Sequence, residues 1–501
     1  MKEDAQKRKF GVLMPVSALP SMEGIGTFGV QAYQFVDFLV SAGAHIWQVL
    51  PLVPTSYGDS PYQSYCSYAL NYYFIDLATL VKEGLLLDEE VKGAELFHEK
   101  RRVDYGLQFT QKIVLLRKAF ARFTQDGAFE EFVRGERYHD FALFMSLKCK
   151  FGYASWTDWA EPYRRYDENT GRRYIAENQA EYRFWLFTQY VFLRQWKALK
   201  GYANERGIEI MGDVPLYLSY DSVEMWKYGK EIFQVDEDRR FTLVAGVPPD
   251  AFTDDGQRWG NPLYDWEGMK SNGYAWWNER LHRSREIFDI LRIDHFRGFD
   301  RYYAVPAEEE TARNGHWEDG PKEELFVDKL DWKIVAEDLG VIDDGVRRLM
   351  KNVGYPGMKI LEFAFDGNPE NEHKPSNYTE NFVCYTGTHD NMPLRQYVDD
   401  LSAEWLETFQ EDVQAESEKL GIVALCEDSQ SLCDSVIRLA FHSKANTVVL
   451  PLWDVFAMGG EARMNFPSVV SVGNWSFRFL EEEFDAATAN RLKKLATQAN
   501  R

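Results

Sequence analysis

The chain is expected to fold as an α/β protein, a (β/α)8 barrel of the TIM type with large insertions after its second and third strands. Three observations carry this. Eight apolar runs have the length of buried strands. Helical patterns separate several of them, as parallel βαβ units require. Three runs break abruptly into polar residues that offer a carboxylate: ILRIDHFRGF (290–299) offers Asp294, KIVAEDLG (333–340) offers Glu337, and FVCYTGTHDN (382–391) offers Asp390. In such a barrel the C-terminal ends of different strands converge on one site.

In chain order the expected strands are 10–14, 45–50, 208–212, 290–293, 333–336, 358–363, 382–385 and 447–450. Residues 30–41, 179–204 and 344–352 carry apolar positions at helical spacing. A bare barrel needs about 250 residues, so roughly half of this chain is insertion. The longest gap holds helical patterns at 107–123 and 138–150, which places a helical subdomain near 80–175. A second insertion, 219–272, is rich in Gly, Pro and aromatics and is expected as a loop-rich subdomain at the barrel mouth. A β-sandwich of about 100 residues does not fit behind the eighth strand, so residues 1–501 are expected as a single catalytic barrel. Gly24, Gly26 and Gly29 spell GxGxxG, but no strand directly precedes them and no acid lies in 45–54. The dinucleotide fingerprint needs both, so a turn leading into the next helix is expected.

Composition narrows the function classes. Hydrophobic residues are 45% and charged residues 27% of the 501, which is ordinary for a globular protein. The formal charge of −22 argues against nucleic acid or an anionic membrane as partner and suits an uncharged ligand. Five scattered cysteines form no CxxC pair, which points to a reducing cytoplasm rather than a disulfide or zinc framework. MKEDAQKRKF lacks the apolar core of a signal peptide, and no apolar run approaches the roughly 18 residues of a membrane span.

The chemistry is read from side-chain placement. Residues alternate faces along a strand, so Arg292 and Asp294 point together into the mouth. A guanidinium there is expected to lower the Asp294 pKa and keep it ionised, as a nucleophile must be. A structural ion pair is the alternative. Glu337 follows apolar residues and is placed to stay protonated as a general acid, with a structural role again the alternative. Asp338 faces the other way and is expected in a structural role such as a helix N-cap. Two or three converging carboxylates are the machinery of glycoside chemistry, and in such a site His389 and Asp390 are expected to hydrogen-bond sugar hydroxyls. His295 and His389 lack HExxH-type spacing, so no metal is expected. Aromatics make up 15% of the chain. Tyr62 and Trp259 are among those outside the strands, where ring faces can stack on sugars.

Taken together, SYGDSPYQSY (56–65), GDVPLY (212–217), GVPPDAFTDDGQRWGNPLYDW (246–266), RIDHFRGF (292–299), AEDLG (336–340), GTHDN (387–391), EARMN (461–465) and GNW (473–475) resemble glycoside hydrolase family 77, the 4-α-glucanotransferase or amylomaltase family of the α-amylase superfamily. The resemblance implies Asp294 as nucleophile, Glu337 as general acid/base and Asp390 as the third, transition-state-stabilising carboxylate. It implies sugar contacts or orientation of the nucleophile for Arg292 and His389, and donor-site roles for Tyr62, Asp213, Trp259 and Asn261. It implies a flexible loop at 246–256, with Asp250 and Phe252 at its tip, over the acceptor groove. The implied reaction is retaining transfer of an α-1,4-glucan segment to the 4-hydroxyl of another glucose or maltooligosaccharide. It needs no cofactor, and the protein would work as a monomer or homodimer. The sequence departs from the family strings at Asn71-Tyr72-Tyr73, at Trp453 and at Asn465-Phe466-Pro467-Ser468; the last two lie after the eighth strand and bear on chain-length preference. The competing expectations are an α-1,4-glucan hydrolase on the same three carboxylates and a non-catalytic glycan-binding protein.

Overall fold

The computed structural model describes residues 8–56, 58–249, 254–467, 469, 471 and 473–501. The strands, in chain order, are β1 (Lys9–Leu13), β2 (Ile46–Gln48), β3 (Glu209–Val214), β4 (Leu243–Val247), β5 (Gln257–Pro262), β6 (Ile290–Ile293), β7 (Arg301–Pro306), β8 (His316–Asp319), β9 (Ile334–Ala336), β10 (Gly357–Ile360), β11 (Phe382–Tyr385) and β12 (Thr447–Pro451). Eight of them pair in parallel in the order β10-β11-β12-β1-β2-β3-β6-β9. These are the eight apolar runs. They are buried almost throughout, which is why they read as continuous rather than alternating.

The seam between β9 and β10 is closed by hydrogen bonds. The Ala336 amide donates to the Pro356 carbonyl at 2.9 Å. The Met358 amide donates to Asp338 Oδ1 at 2.6 Å. Asp338 is therefore a seam clamp, not the helix N-cap expected from its position; Asp343 caps the next helix, Asp344–Val353. The 358–363 run also stops short as a strand, because Leu361–Phe363 turns into a 3-10 helix that carries Glu362.

The helix Val30–Ala42 starts behind Gly29 and ends at Gly43, whose φ of 75° suits a left-handed cap. The GxGxxG glycines thus lie in the turn leading into this helix. Between β2 and β3 the chain runs through several helices, including His139–Lys150 and the 27-residue Gln179–Glu205. The long helix is tied to the connection after β2 by buried amides. Gln189 accepts from the Leu70 amide at 2.8 Å, and Gln195 accepts from the Asp76 amide at 2.8 Å.

The segment expected as a loop-rich rim carries β4 and β5. They join β7 and β8 in an antiparallel sheet of order β5-β4-β7-β8. A further excursion after β6 therefore completes a sheet begun after β3. Behind β12 the chain ends in the helix Ala486–Gln498. Among the described residues, no helix is long and apolar enough to cross a membrane.

Candidate active site

The parallel register sets Asp213 on β3 directly beside Arg292 on β6. The Arg292 Nη1 group donates to both Asp213 oxygens, at 2.8 and 2.7 Å, and to Asp294 Oδ1 at 3.1 Å. Tyr62 donates its hydroxyl to Asp213 Oδ2 at 2.8 Å. Asp294 follows β6 directly, and its amide continues the ladder to the Val214 carbonyl at 3.0 Å. The next residue, His295, has φ 47°, the left-handed region that a non-glycine residue rarely enters. That turn aims the His295 amide at Glu337 Oε2, 2.6 Å away. Glu337 Oε1 accepts from the Leu339 amide at 2.9 Å. Glu337 is thus locked by backbone donors, one of them adjacent to Asp294. Asp390 approaches from the loop behind β11. Asn465 donates to its Oδ1 at 2.7 Å, and His389 Nε2 lies 3.4 Å from its Oδ2.

Rings wall the mouth. Tyr62 stacks on His389 with centroids 5.0 Å apart, and Trp475 tilts against Tyr62 at 5.7 Å. Trp259 meets His295 edge-on at 4.9 Å. Asn261, two residues on in β5, is anchored to the Leu218 carbonyl at 2.8 Å. Deeper in the barrel, Tyr385 donates to Gln48 Oε1 at 2.9 Å, so both polar groups are satisfied where no water competes.

The electrostatics differ from the sequence expectation at one point. Arg292 does pull the Asp294 pKa down, but burial outweighs it, reinforced by Asp213, Glu337 and Asp390, and the carboxyl is pushed up to about 8. Burial also raises Glu337 against the opposing pull of Arg292 and the two amides. Division of one cation weakens the opposing pull: Arg292 spends its closest contacts on Asp213, which leaves Asp294 with the longer one. Neighbouring carboxyls that cannot all ionise hold a proton between them. Burial lowers His389 and pushes His295 down to about 3, so both imidazoles are neutral at neutral pH.

The structure gathers Asp294, Glu337, Asp390, Arg292, Asp213, Tyr62 and His389 at one barrel mouth, with Trp259 and Asn261 on the neighbouring antiparallel sheet. Asp250 and Phe252 lie outside the described residues. Sequence reasoning gave no role to Asn465, Trp475 or the His295 amide. Asn465 and Trp475 sit inside the EARMN and GNW strings, a signal that could have found them. Of the departures, Asn71 accepts from the Tyr73 amide at 3.0 Å and caps a short helix. Trp453 is fully buried, and Phe466 lies under the Arg463 guanidinium at 4.1 Å.

A parallel barrel whose mouth gathers carboxyls, a guanidinium and stacked rings has the arrangement of one class of enzymes, those that work on glycosidic bonds with paired carboxylates. The family model described as 4-alpha-glucanotransferase matches residues 14–482, and the chain belongs to that family. The 4-alpha-glucanotransferase of Clostridium butyricum is 41% identical over 96% of this chain and 98% of its own length. That of Thermus thermophilus is 40% identical over 99% of each chain. The solved amylomaltase from Streptococcus agalactiae in complex with acarbose is 37% identical, with TM-score 0.92 over 99% of this chain and 100% of that one. Amylomaltase from Corynebacterium glutamicum shares the fold, with 17% identity and TM-score 0.80 over 99% of this chain and 75% of that one.

Proposed function

We propose that the chain disproportionates α-1,4-glucans by retaining transfer, with Asp294 as nucleophile, Glu337 as acid/base and Asp390 as stabilising carboxylate. The observation that carries the assignment is the Arg292–Asp294 contact beside a Glu337 held by the amide of the very next residue. In the proposed cycle Arg292 supports the Asp294 anion, and Glu337 carries the shared proton when the glycosidic oxygen arrives. Asp294 attacks the anomeric carbon while Glu337 gives its proton to the glycosidic oxygen, and the carbon–oxygen bond to the leaving glucan breaks. The Glu337 carboxylate then takes the proton from the 4-hydroxyl of an acceptor glucan. That oxygen attacks the same carbon and releases Asp294. Asp390, fixed by Asn465, faces the positive charge that develops on the sugar. The neutral His389 and the Tyr62 and Trp259 rings receive the sugar's hydroxyls and C–H faces.

The donor and acceptor are maltooligosaccharides or longer α-1,4-glucans, and the compartment is the cytoplasm, a reading supported by five free cysteines. The test is the product profile from maltotriose. Glucose plus a ladder of longer maltooligosaccharides, without new reducing ends, is the expected result. Asp294→Asn should lower its rate roughly a thousandfold or more. Rising reducing ends with shorter products would instead establish a hydrolase, and unchanged substrate a binding protein.

A further inference from the structure

Beneath the Asp390 loop lies an acid that the mechanism leaves unused. Glu362 sits on the 3-10 turn after β10, and its amide donates to the Thr386 carbonyl at 3.0 Å. Its Oε2 is buried without a hydrogen-bond partner among the described residues. That oxygen is directed at the loop: a Cβ built on Gly387 would stand 3.5 Å from it. The same Cβ would stand 3.3 Å from Asn391 Cβ, so Glu362 and Asn391 flank Gly387 from two sides. Asn391 Oδ1 in turn accepts from the Thr388 amide and hydroxyl at 2.9 and 2.8 Å, bracing the turn that presents His389 and Asp390. Glu362 is also coupled electrostatically to Arg463, whose Nε donates to the Asn465 carbonyl at 3.0 Å. Asn465 is the residue that donates to Asp390. Packing at Gly387 and the charge of Arg463 therefore both link Glu362 to the support of one carboxylate.

We propose that Glu362 is a positioning residue for Asp390, packed with Asn391 around Gly387 on one side and sensing the charge of Arg463 on the other. This rests on Asp390 serving the transfer reaction. The charged and titratable groups facing Glu362 are Asp454 on the helix Leu452–Val455, Tyr397 on the helix Leu394–Asp400, and Arg463. Burial pushes the Glu362 carboxyl up to about 8, opposed by Asn391 and Arg463 and reinforced by Asp454. It is therefore neutral near pH 7. Above its pKa it becomes an anion that competes with the Asn465 carbonyl for Arg463 and loosens the support of Asp390.

The experiment measures kcat and KM for maltotriose disproportionation by wild type, Glu362→Gln and Glu362→Ala, with Asp294→Asn in parallel. The pH series runs from about 6 to about 9.5. Glu362→Gln mimics the neutral acid and should keep kcat near pH 7 within about twofold, with a shallower alkaline decline than wild type. Glu337 still titrates in both proteins, so the difference between the two profiles reports Glu362. Glu362→Ala should lower kcat about tenfold with KM little changed. A Glu362→Gln profile that superimposes on wild type overturns the proposal, whether or not the alanine variant folds. A folded Glu362→Ala with wild-type kcat does so too. An active Asp294→Asn would remove the site reading itself, and this proposal with it; an inactive one beside an unchanged Glu362→Gln removes the proposal alone.

Discussion

One guanidinium serves two carboxylates at the barrel mouth, and that division sets the behaviour of the individual residues. Arg292 is itself held protonated far above its ordinary range, because Asp213 and Asp294 outweigh its burial. Removing Asp213 would leave that charge buried with only its longer contact. Asp213→Ala should cost about 3–5 kcal/mol of stability, read from denaturant unfolding beside wild type. Its loss should also move the Asp294 titration downward, because Arg292 would then bear on Asp294 alone. The roles of the two central carboxyls separate by leaving group. A glucosyl fluoride donor needs no proton on departure, so Glu337→Gln should still form the covalent intermediate from it while failing on maltotriose. Asp294→Asn should fail with both donors. Intermediate trapping by mass spectrometry reads the difference, and an unlabelled Glu337→Gln protein would refute the assignment of that carboxyl.

At the level of elements, the strands place the groups and the turns aim them. Asp294 and Glu337 stand one residue beyond β6 and β9, where the ladder ends but its hydrogen bonds continue. This part was legible in the sequence, because an apolar run that stops at a carboxylate is a local pattern. The left-handed His295 was not, since nothing in RIDHF announces a positive φ. Close strand spacing makes its own demand. A Cβ on Gly11 would stand 2.5 Å from Ile46 Cβ on the adjacent strand, so Gly11→Ala should cost about 1–3 kcal/mol by overpacking β1 against β2. The loop behind β11 is pinned by Asp454, which accepts from Thr386 Oγ1 at 2.5 Å and from the Leu394 amide at 2.7 Å. Burial raises Asp454 to about 7. Its folded state binds the proton more tightly than the unfolded chain, whose Asp pKa is about 3.9. The stability it contributes is thus present at low pH and lost as pH rises from about 4 to about 7. Asp454→Asn can keep both contacts and should remove that decline. Melting temperatures at pH 5 and pH 8 should therefore differ less in the variant than in wild type.

For the whole molecule, the net charge of −22 bears on partners rather than on turnover. A neutral glucan is not steered by that field, so KM for maltotriose should change less than about twofold between low and high salt, against a large change for any charged ligand. Steady-state rates across a salt series check this, and a steep dependence would count against a neutral substrate. The barrel order was readable because each parallel strand is buried on both faces, which leaves a solid apolar run in the chain. The sheet of β4, β5, β7 and β8 was not, because β8 is polar and partly exposed and its partner β7 lies beyond β6. The sequence by itself determined the barrel, the family and which three carboxylates come to the barrel mouth, all carried by short contiguous strings. Only the tertiary structure decided how their charges are shared. It brought Asn465 and Trp475 to the mouth, paired Asp213 with Arg292, set Glu362 beneath them, and made Asp338 the clamp of the seam. A pKa or a hydrogen-bond partner depends on distances between residues far apart in the chain, and closure of the barrel alone fixes those distances.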